Sequence, residues 1–314
     1  MNRKFWFALG TLALLCAVFA FFLFGGQSGL RAGGTAPSAA LAESGTSSPL
    51  PAGEEQTEAT SMEMSLLAIN VGKADALLLQ SGGTAYLIDT GTEDSFDQMF
   101  RVLKEEGVTS LTGVLLTHTD KDHTGGLEQL AESGMDIGTV YASAYYNKKS
   151  EKKHPAVKAL KGTEKDVVFI KGGDSLPLDG GTLSILGPLE KSDDKDDNNS
   201  LVMLAEGGGG TMLLAGDMEF PEEESLLKAG VIPHADVLKV GNHGDNDATS
   251  DALIRAVTPK VAVISTSTEE KQSTPAARVL RLLNSWKVTV LQTQDTKNGV
   301  LITLRGGEIF AEMK

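Results

Sequence analysis

The chain has 314 residues, of which 41% are hydrophobic, and a formal net charge of −14 at pH 7. This length accommodates two domains or one large α/β domain, and the hydrophobic fraction is sufficient for a buried core. The negative charge argues against a broad nucleic-acid-binding face but leaves room for a local basic groove. The single cysteine, Cys16, lies in an apolar stretch near the N-terminus, so the rest of the chain has neither a disulfide nor a thiolate metal site.

The N-terminal residues are expected to lie outside the folded domain. Residues 5–24 form an uncharged apolar stretch, and roughly 20 such residues are enough to span a bilayer. Because Arg3 and Lys4 precede this stretch, residues 1–24 are predicted to be a single-pass membrane anchor with the following chain outside the cytoplasm. The alternative is a signal peptide, whose cleavage would give a secreted protein. Residues 25–61 are rich in small and polar residues and are predicted to be a disordered linker.

Residues 62–314 are predicted to form the folded domain, because short apolar runs alternate there with segments of helical spacing. Strands are predicted at 64–71, 76–80, 86–89, 114–116, 182–186, 201–205, 211–214, 237–240, 261–265, 288–291 and 300–304, the last of which is expected to close the domain. Helices are predicted at 96–103, 127–131, 222–228 and 251–257, and from Pro275 with Thr274 as its N-cap. Two strand-rich halves with flanking helices predict an α/β fold, a four-layer αββα sandwich.

Residues 117–126 carry a cluster of side chains that can bind metal. Four candidate ligands lie within six positions, namely His118, Asp120, Asp122 and His123. Alternation along an extended loop places the first three on one side, and His123 adds an imidazole from another direction. Imidazole combined with carboxylate suits zinc, manganese or iron better than calcium or magnesium. A plain polar loop is the alternative, but such clustering favours a bound cation.

This stretch resembles the His-x-His-x-Asp-His signature of the metallo-β-lactamase fold, with Asp120 at the position of the second His. The variant His-x-Asp-x-Asp-His is similar to the extracellular hydrolase domain of ComEC-type competence proteins. The resemblance covers nearly all of residues 64–305.

Two N-terminal motifs extend this resemblance. Residues 70–76, Asn-Val-Gly-Lys-Ala-Asp-Ala, resemble the family's Asp-Val-Gly-Gln-Gly-Asp-Ala; they keep Asp75 but carry a lysine, Lys73, where the family has Gln. Residues 87–91, Leu-Ile-Asp-Thr-Gly, resemble the fold's first motif. The resemblance implies that its carboxylate, Asp89, orients the metal loop instead of binding metal, and a turn-capping role for Asp89 is physically close to that.

Two C-terminal motifs complete the resemblance. Gly216-Asp217 matches a Gly-Asp pair whose carboxylate bridges two metal ions in the family. Residues 238–244 resemble Leu-Lys-Val-Gly-His-His-Gly, with Asn242 replacing the first His. If the second His is the ligand, His243 keeps that role; if the first is, the site is damaged. Lys239 is expected either to neutralise a phosphate or aid a leaving group, or to be an exposed lysine at a strand end.

The resemblance implies two divalent metal ions, zinc or manganese, that share a hydroxide nucleophile. The implied site 1 consists of His118, Asp120 and Asp217, and the implied site 2 consists of Asp122, His123, Asp217 and His243. Residues 196–202 resemble the family's Asn-Asn-x-Ser-Leu-Val and supply no His, so Asn198 or Asn199 beside Ser200 is expected to serve as a weak amide ligand or phosphate contact. The abundance of carboxylates shifts the preference from zinc toward manganese. Asp122, Asp217 and Lys239 are the residues expected to take part in catalysis.

The substrate is indicated only in part. Residues 141–171 combine three tyrosines with eight lysines, a pattern that suits single-stranded nucleic acid or, alternatively, a solvated helix face with half-buried tyrosines. The predicted function is a membrane-anchored, extracytoplasmic phosphodiesterase or nuclease, with the membrane (through residues 5–24) and a nucleic-acid or other phosphodiester substrate as partners. The alternatives are a hydrolase of a small ester, lactam or cell-wall phosphodiester, and a binding module whose site has decayed at Asn242.

Overall fold

A computed structural model describes residues 62–314, so the predictions for residues 1–61 lie outside the described residues. Its strands, in chain order, are β1 (Met64–Ile69), β2 (Leu77–Ser81), β3 (Thr84–Ile88), β4 (Gly113–Leu116), β5 (Thr139–Ser143), β6 (Val167–Ile170), β7 (Ser175–Leu178), β8 (Gly181–Gly187), β9 (Val202–Gly207), β10 (Gly210–Leu214), β11 (Val237–Lys239), β12 (Val261–Ile264), β13 (Thr289–Gln292), β14 (Gly299–Arg305) and β15 (Glu308–Met313). They form an eight-stranded sheet in the order β15-β14-β1-β2-β3-β4-β5-β6 and a seven-stranded sheet in the order β13-β12-β11-β10-β9-β8-β7.

The helices of the described region are short. They are α1 (Phe96–Glu105), α2 (Lys121–Thr124), α3 (Leu127–Glu132), α4 (Pro155–Ala159), α5 (Phe220–Ala229), α6 (Asp251–Val257) and α7 (Ala277–Ser285), with 3-10 turns at Glu151–Lys153, Asp196–Asn199, Gly241–Gly244 and Thr293–Asp295. Within residues 62–314, every helix falls short of the length and apolarity needed to cross a membrane. The anchor predicted at residues 1–24 lies outside this region.

Three apolar layers hold the elements together. The two sheets face each other across a core to which Leu66 and Leu115 contribute from one sheet and Met203 and Leu214 from the other. The outer face of the first sheet packs against α1, α3 and α4, and the outer face of the second sheet packs against α5, α6 and α7. The two-sheet α/β prediction is therefore confirmed, with helices on both outer faces.

Strand direction brings the ends of several strands together. β3, β4, β5 and β6 are mutually parallel, and so are β10, β11, β12 and β13. Residues that follow parallel strands gather at one edge of a sheet, which is where open α/β sheets place ligands. His118 follows β4, Asp217 follows β10 and His243 follows β11. This topology converts residues distant in the chain into neighbours.

The structure corrects two predictions about element ends. α7 begins at Ala277 with Ala276 as N-cap, not at Pro275 with Thr274 as N-cap. The reason is that this segment packs against the 3-10 turn Gly241–Gly244, where the Ala276 N–H donates to the Gly244 carbonyl, while the Thr274 hydroxyl donates to the Lys271 carbonyl. The strand at 300–304 also does not close the domain, because β15 follows and pairs with β14 as an exposed edge.

Residues 139–178 contain structure that the sequence patterns did not predict. β5, β6 and β7 lie here, and the only α-helix within this range is the five-residue α4. The interpretation of residues 141–171 as one solvated helix face was therefore wrong, although Tyr141, Tyr145 and Tyr146 are half-buried as it expected. β6 is a run of four apolar residues at the sheet edge, of which only Val168 is exposed, so its strand signal was present and was overlooked among the surrounding lysines.

Candidate metal centre

The loop after β4 is fixed by a buried carboxylate. β4 is buried at all four positions, and the N–H and hydroxyl of Thr117 each donate to Asp89 at 2.8 Å. His118 follows this anchor. Residues 121–124 form a helical turn instead of continuing the extended loop that the alternation predicted, so Asp122 and His123 project from a helix. A Cβ at Gly126 would come 2.4 Å from the Thr90 carbonyl oxygen, so glycine is required for this close approach.

Asp122, His123, Asp217 and His243 lie together and are named here the buried cluster; one potential ligand atom from each lies within 4.8 Å of all the others. Asp217 Oδ2 lies 3.2 Å from His123 Nε2 and 3.4 Å from His243 Nε2. His243 Nε2 is also 3.6 Å from Asp122 Oδ2. These are the four side chains of the predicted site 2, and they come from the ends of β4, β10 and β11.

His118, Asp120 and Asp197 form a second group, named here the outer cluster, whose ligand atoms also lie within 4.8 Å of one another. His118 Nε2 is 3.8 Å from Asp197 Oδ1, and the His118 and His123 rings are 4.2 Å apart between centroids. Asp197 was not among the predicted site residues. It lies in the acidic run around residues 193–197, directly before the asparagines Asn198 and Asn199 that were expected as weak ligands in the absence of a histidine.

Four atoms of these clusters are buried and make no hydrogen bond: Nε2 of His118, His123 and His243, and Oδ1 of Asp217. His123 Nδ1 lies 2.8 Å from Asp89 Oδ2, and His243 Nδ1 lies 3.0 Å from the Ser265 carbonyl oxygen. Because a carbonyl accepts only and the Asp89 carboxylate also receives both Thr117 donors, each Nδ1 carries a proton. Each Nε2 is therefore the ring atom that a cation can reach, by displacing the second proton that the raised pKa values of His123 and His243 favour in the metal-free protein. Buried unpaired polar atoms are costly, so these atoms fit a metal cation.

His118 is oriented by hydroxyl groups. Its Nδ1 lies 3.1 Å from Thr117 Oγ1 and 3.3 Å from Ser200 Oγ. Since the Thr117 hydroxyl donates its proton to Asp89, its oxygen is free to accept from the His118 ring. Ser200 Oγ also accepts the Asp217 N–H at 3.1 Å, so one serine contacts a candidate ligand of each cluster.

The charges of the two clusters are unequal. Burial acts to lower the pKa of His123, but the carboxylates of Asp217 and Asp89 outweigh it and hold this pKa well above its usual range. Burial and the neighbouring His123 lower the pKa of His118 to about 4. Burial, Asp217 and Glu219 raise the pKa of Asp197 to about 7. The outer cluster therefore has excess negative charge that a cation would relieve.

Lys239 is fully buried, so the prediction of an exposed strand-end lysine was wrong. Its ammonium group donates to Asp75 Oδ2 at 2.8 Å and to the Val240 carbonyl at 3.0 Å. The Asp75 N–H in turn donates to the Asp122 carbonyl at 3.1 Å. Lys239 therefore contacts the segment before β2 rather than a candidate ligand, and the Asp75–Lys239 pair connects the metal loop to the strand that leads to His243.

The amide side chains that were predicted near the site donate hydrogen bonds to residues outside both clusters. Asn198 Nδ2 donates to Glu219 Oε2 at 3.0 Å, and Asn242 Nδ2 donates to Glu219 Oε1 at 3.3 Å. Asn199 Nδ2 donates to the Ser192 carbonyl at 2.9 Å. Glu219 was not predicted, yet it holds the turn that carries Asp197. His243, and not Asn242, belongs to the buried cluster.

A cleft of about 910 Å³ opens beside the outer cluster, and Asp120 and Asp122 line it. Lys148, Lys149, Lys153 and Lys158 also line it. His154 takes no part in this lining; its Nδ1 accepts the Ala156 N–H at the start of α4, and its ring packs edge-on against Tyr146.

Known proteins resemble this chain in sequence and in fold. ComE operon protein 3 of Bacillus subtilis is 28% identical over 253 residues, which cover 74% of this chain and 32% of that protein. Competence protein ComA of Neisseria gonorrhoeae is 27% identical over 254 residues, covering 80% of this chain and 34% of that protein. The chain thus spans about a third of the length of these curated relatives.

Among solved structures, the metallo-beta-lactamase fold protein YhfI from Bacillus subtilis matches with a TM-score of 0.51 at 14% identity, covering 77% of this chain and 99% of that chain. This likeness shows a shared fold. The family model of the metallo-beta-lactamase superfamily matches residues 69–268, more than half of the chain. Together with the competence-protein relatives, it confirms the resemblance to ComEC-type proteins that the motifs indicated. The chain belongs to the metallo-β-lactamase superfamily.

Proposed function

We propose that the chain is a metal-dependent phosphodiesterase that acts on an anionic polymer such as single-stranded DNA. The observation that carries this proposal is the convergence of three unpaired imidazole nitrogens and one unpaired carboxylate oxygen, all buried, from the ends of three strands. Nothing in the described protein satisfies these atoms, and structural imidazoles are ordinarily hydrogen-bonded. A site built for divalent cations accounts for all four atoms at once.

In this proposal, the buried cluster and the outer cluster each hold one cation. Four carboxylates and three imidazoles are available, a set that favours manganese over zinc. Two divalent cations would supply a nucleophile at neutral pH and neutralise charge that develops on a phosphoryl group. The chain's own contribution is orientation: Asp89 and the Ser265 carbonyl fix the His123 and His243 rings with Nε2 facing inward.

The lysine-lined cleft supports an anionic substrate. Four lysines line the same opening as Asp120 and Asp122, so a phosphate chain lying on the lysines would lie beside the clusters. The overall charge of −14 disfavours nucleic acid elsewhere on the surface, which would confine binding to this cleft. A lactam substrate gives no reason for such a concentration of lysines. In this proposal residues 1–24 anchor the enzyme and the domain faces the outside of the membrane.

The test begins with metal content. The purified full-length chain is stripped with chelator, reloaded separately with Mn²⁺ or Zn²⁺, and analysed for bound metal. We expect about two ions per chain, as in two-metal sites. The same preparations are then incubated with bis-p-nitrophenyl phosphate and with single-stranded DNA.

Cleavage of both substrates, lost in Asp217→Asn and retained in Asp193→Asn, supports the proposal. Asp193 is a matched control because it is a highly exposed aspartate in the neighbouring loop. Absence of bound metal would indicate a decayed module. Metal binding without diester cleavage, combined with hydrolysis of a lactam or simple ester, would favour the small-substrate alternative. Either result would overturn the phosphodiesterase proposal.

A further inference from the structure

A cation belonging to the chain itself lies against the buried cluster. Lys73 Nζ donates to Asp122 Oδ2 at 2.8 Å, and the Lys73 side chain is 19% exposed. The same Asp122 oxygen is 3.6 Å from His243 Nε2. One carboxylate oxygen therefore faces both an ammonium group and an imidazole nitrogen that is aimed at the cation position.

The backbone holds Lys73 in place. It lies between β1 and β2, and its N–H donates to Glu270 Oε2 at 3.2 Å. Two residues later, the Asp75 N–H donates to the Asp122 carbonyl at 3.1 Å, which ties this segment to the metal loop. The backbone segment that carries Lys73 is therefore hydrogen-bonded to the metal loop, which places the lysine side chain next to Asp122.

The ammonium group also lies in the field of several carboxylates. Burial disfavours its charge, but Asp122, Asp217 and Asp75 all attract it. In the metal-free protein, Asp122 and Asp217 face the His rings and each other. Without Lys73, no permanently charged cation would lie among these side chains. Lys73 balances this charge through Asp122, which is a candidate metal ligand.

We propose that Lys73 is a tethered cation that competes with metal for Asp122, so that metal binding in the buried cluster displaces the ammonium group from that carboxylate. The competition follows from charge: a divalent ion and an ammonium group on the same oxygen repel each other, and the burial of His123, His243 and Asp217 limits screening by water on one side. The inference rests on the proposed function, because it requires the buried cluster to bind a divalent ion. Its consequence is that the chain holds this ion less tightly than the ligand set alone would.

The test is calorimetric titration of the full-length, metal-free chain with Mn²⁺. Lys73→Met keeps an unbranched side chain one atom shorter and removes its charge, and Lys121→Met is the matched control from the exposed side of the metal loop. We expect Lys73→Met to tighten one binding step by about 10–100-fold, the range by which groups next to metal ligands alter metal affinity. Lys121→Met should leave both steps within roughly twofold.

Asp122→Asn provides the second arm, as a double-mutant cycle. If the ammonium acts through Asp122, Lys73→Met should lose most of its tightening effect in the Asp122→Asn background. Persistence of the full effect there would overturn the inference, because the charge would then act at a distance and not by competition.

Two outcomes separate this inference from the proposed function. If the unmodified chain binds two ions and cleaves diesters, but Lys73→Met binds them unchanged or more weakly, the inference fails and the function stands. A merely structural ion pair would give this result together with a lower melting temperature of metal-free Lys73→Met. If neither protein binds metal, both proposals fail.

Discussion

The buried cluster and the outer cluster lie side by side, yet their side chains are held in different ways. Asp217 and His243 of the buried cluster follow strands of one sheet, and His123 follows a strand of the other; both histidines are fixed by buried acceptors. In the outer cluster Asp120 is exposed, and Asp197 is carried by a short turn that Glu219 and Lys195 hold through side chains. The comparison teaches that buried acceptors fix the ligands of one cluster, while Asp120 and Asp197 of the other depend on exposed positions and side-chain contacts.

This difference suggests that the two clusters hold cations with different roles. A rigid, imidazole-rich cluster suits a cation that remains bound, whereas an exposed, carboxylate-rich cluster beside the cleft suits a cation that contacts substrate. The outer cluster also depends on Asp197, whose pKa is raised to about 7, so protons compete with metal there near neutrality. The following tests would break or sharpen the comparison.

Removing Asp217 should have the largest effect. Asp217→Asn keeps the shape but removes the charge that faces both His123 and His243. We expect kcat/KM on bis-p-nitrophenyl phosphate to fall by roughly 10³-fold or more, together with loss of the tightly bound ion. A variant that kept its metal and most of its activity would show that the buried cluster is not the site that binds metal more tightly.

Two supporting residues are expected to affect the clusters unequally, although each also contacts the other cluster, Asp89 through Thr117 and Ser200 through the Asp217 N–H. Asp89→Asn weakens the contact to His123, and Ser200→Ala removes a contact to His118. We expect Asp89→Asn to weaken the tighter metal by about 10–100-fold and Ser200→Ala to weaken the other metal by less. Titration calorimetry of each variant measures both steps. Equal effects on both steps would contradict this expectation.

The outer cluster should show the clearer dependence on pH through Asp197. Its carboxyl, with a pKa of about 7, is protonated below that pH in the metal-free protein and must lose that proton to bind metal. Affinity for the weaker ion should therefore rise with pH up to about 7 and fall by up to roughly tenfold per unit below it. In Asp197→Asn, metal titrations at several pH values should give a weaker and flatter profile. If metal affinity in Asp197→Asn depended on pH as steeply as in the unmodified chain, Asp197 would not be a metal ligand of the outer cluster.

The smallest expected effect concerns the cleft. Replacing Lys148, Lys149 and Lys153 with Gln should weaken binding of single-stranded DNA and reduce the slope of log K against log salt by about 0.7 for each phosphate that the cleft no longer neutralises. Hydrolysis of the small diester should change little, because it does not need the cleft. An unchanged salt slope in a fluorescence binding assay would mean that the polymer passes the outer cluster by another path.

The sequence revealed those parts of the site whose signal is local. His118, Asp120, Asp122 and His123 lie in one short loop, and Asp217 and His243 each follow a recognisable strand. Asp197 could not be singled out, because nothing in its neighbourhood distinguishes a ligand from a surface acid until the turn folds over His118. The Lys73–Asp122 contact was likewise invisible, since it joins residues 49 positions apart.

The same distinction holds for the fold. Central strands such as β4 are buried on both faces and give an uninterrupted apolar run, which is readily predicted. Edge strands such as β15 are mostly exposed and carry charged residues, so their pattern resembles a loop. The Thr274–Pro275 pair is typical of a helix start, but tertiary packing against the Gly241–Gly244 turn delays the helix by two residues.

The Asp75–Lys239 pair has a consequence for motion. It joins opposite charges that belong to different sheets and are almost completely shielded from water, with 1% and 0% side-chain exposure. Sliding one sheet over the other would separate these charges in a dry interior, which costs several kcal/mol more than sliding two apolar faces. Slow breathing of the sandwich should therefore begin at its edges, and the amides of Leu77–Ser81 and Val237–Lys239 should be among the last to exchange with deuterium.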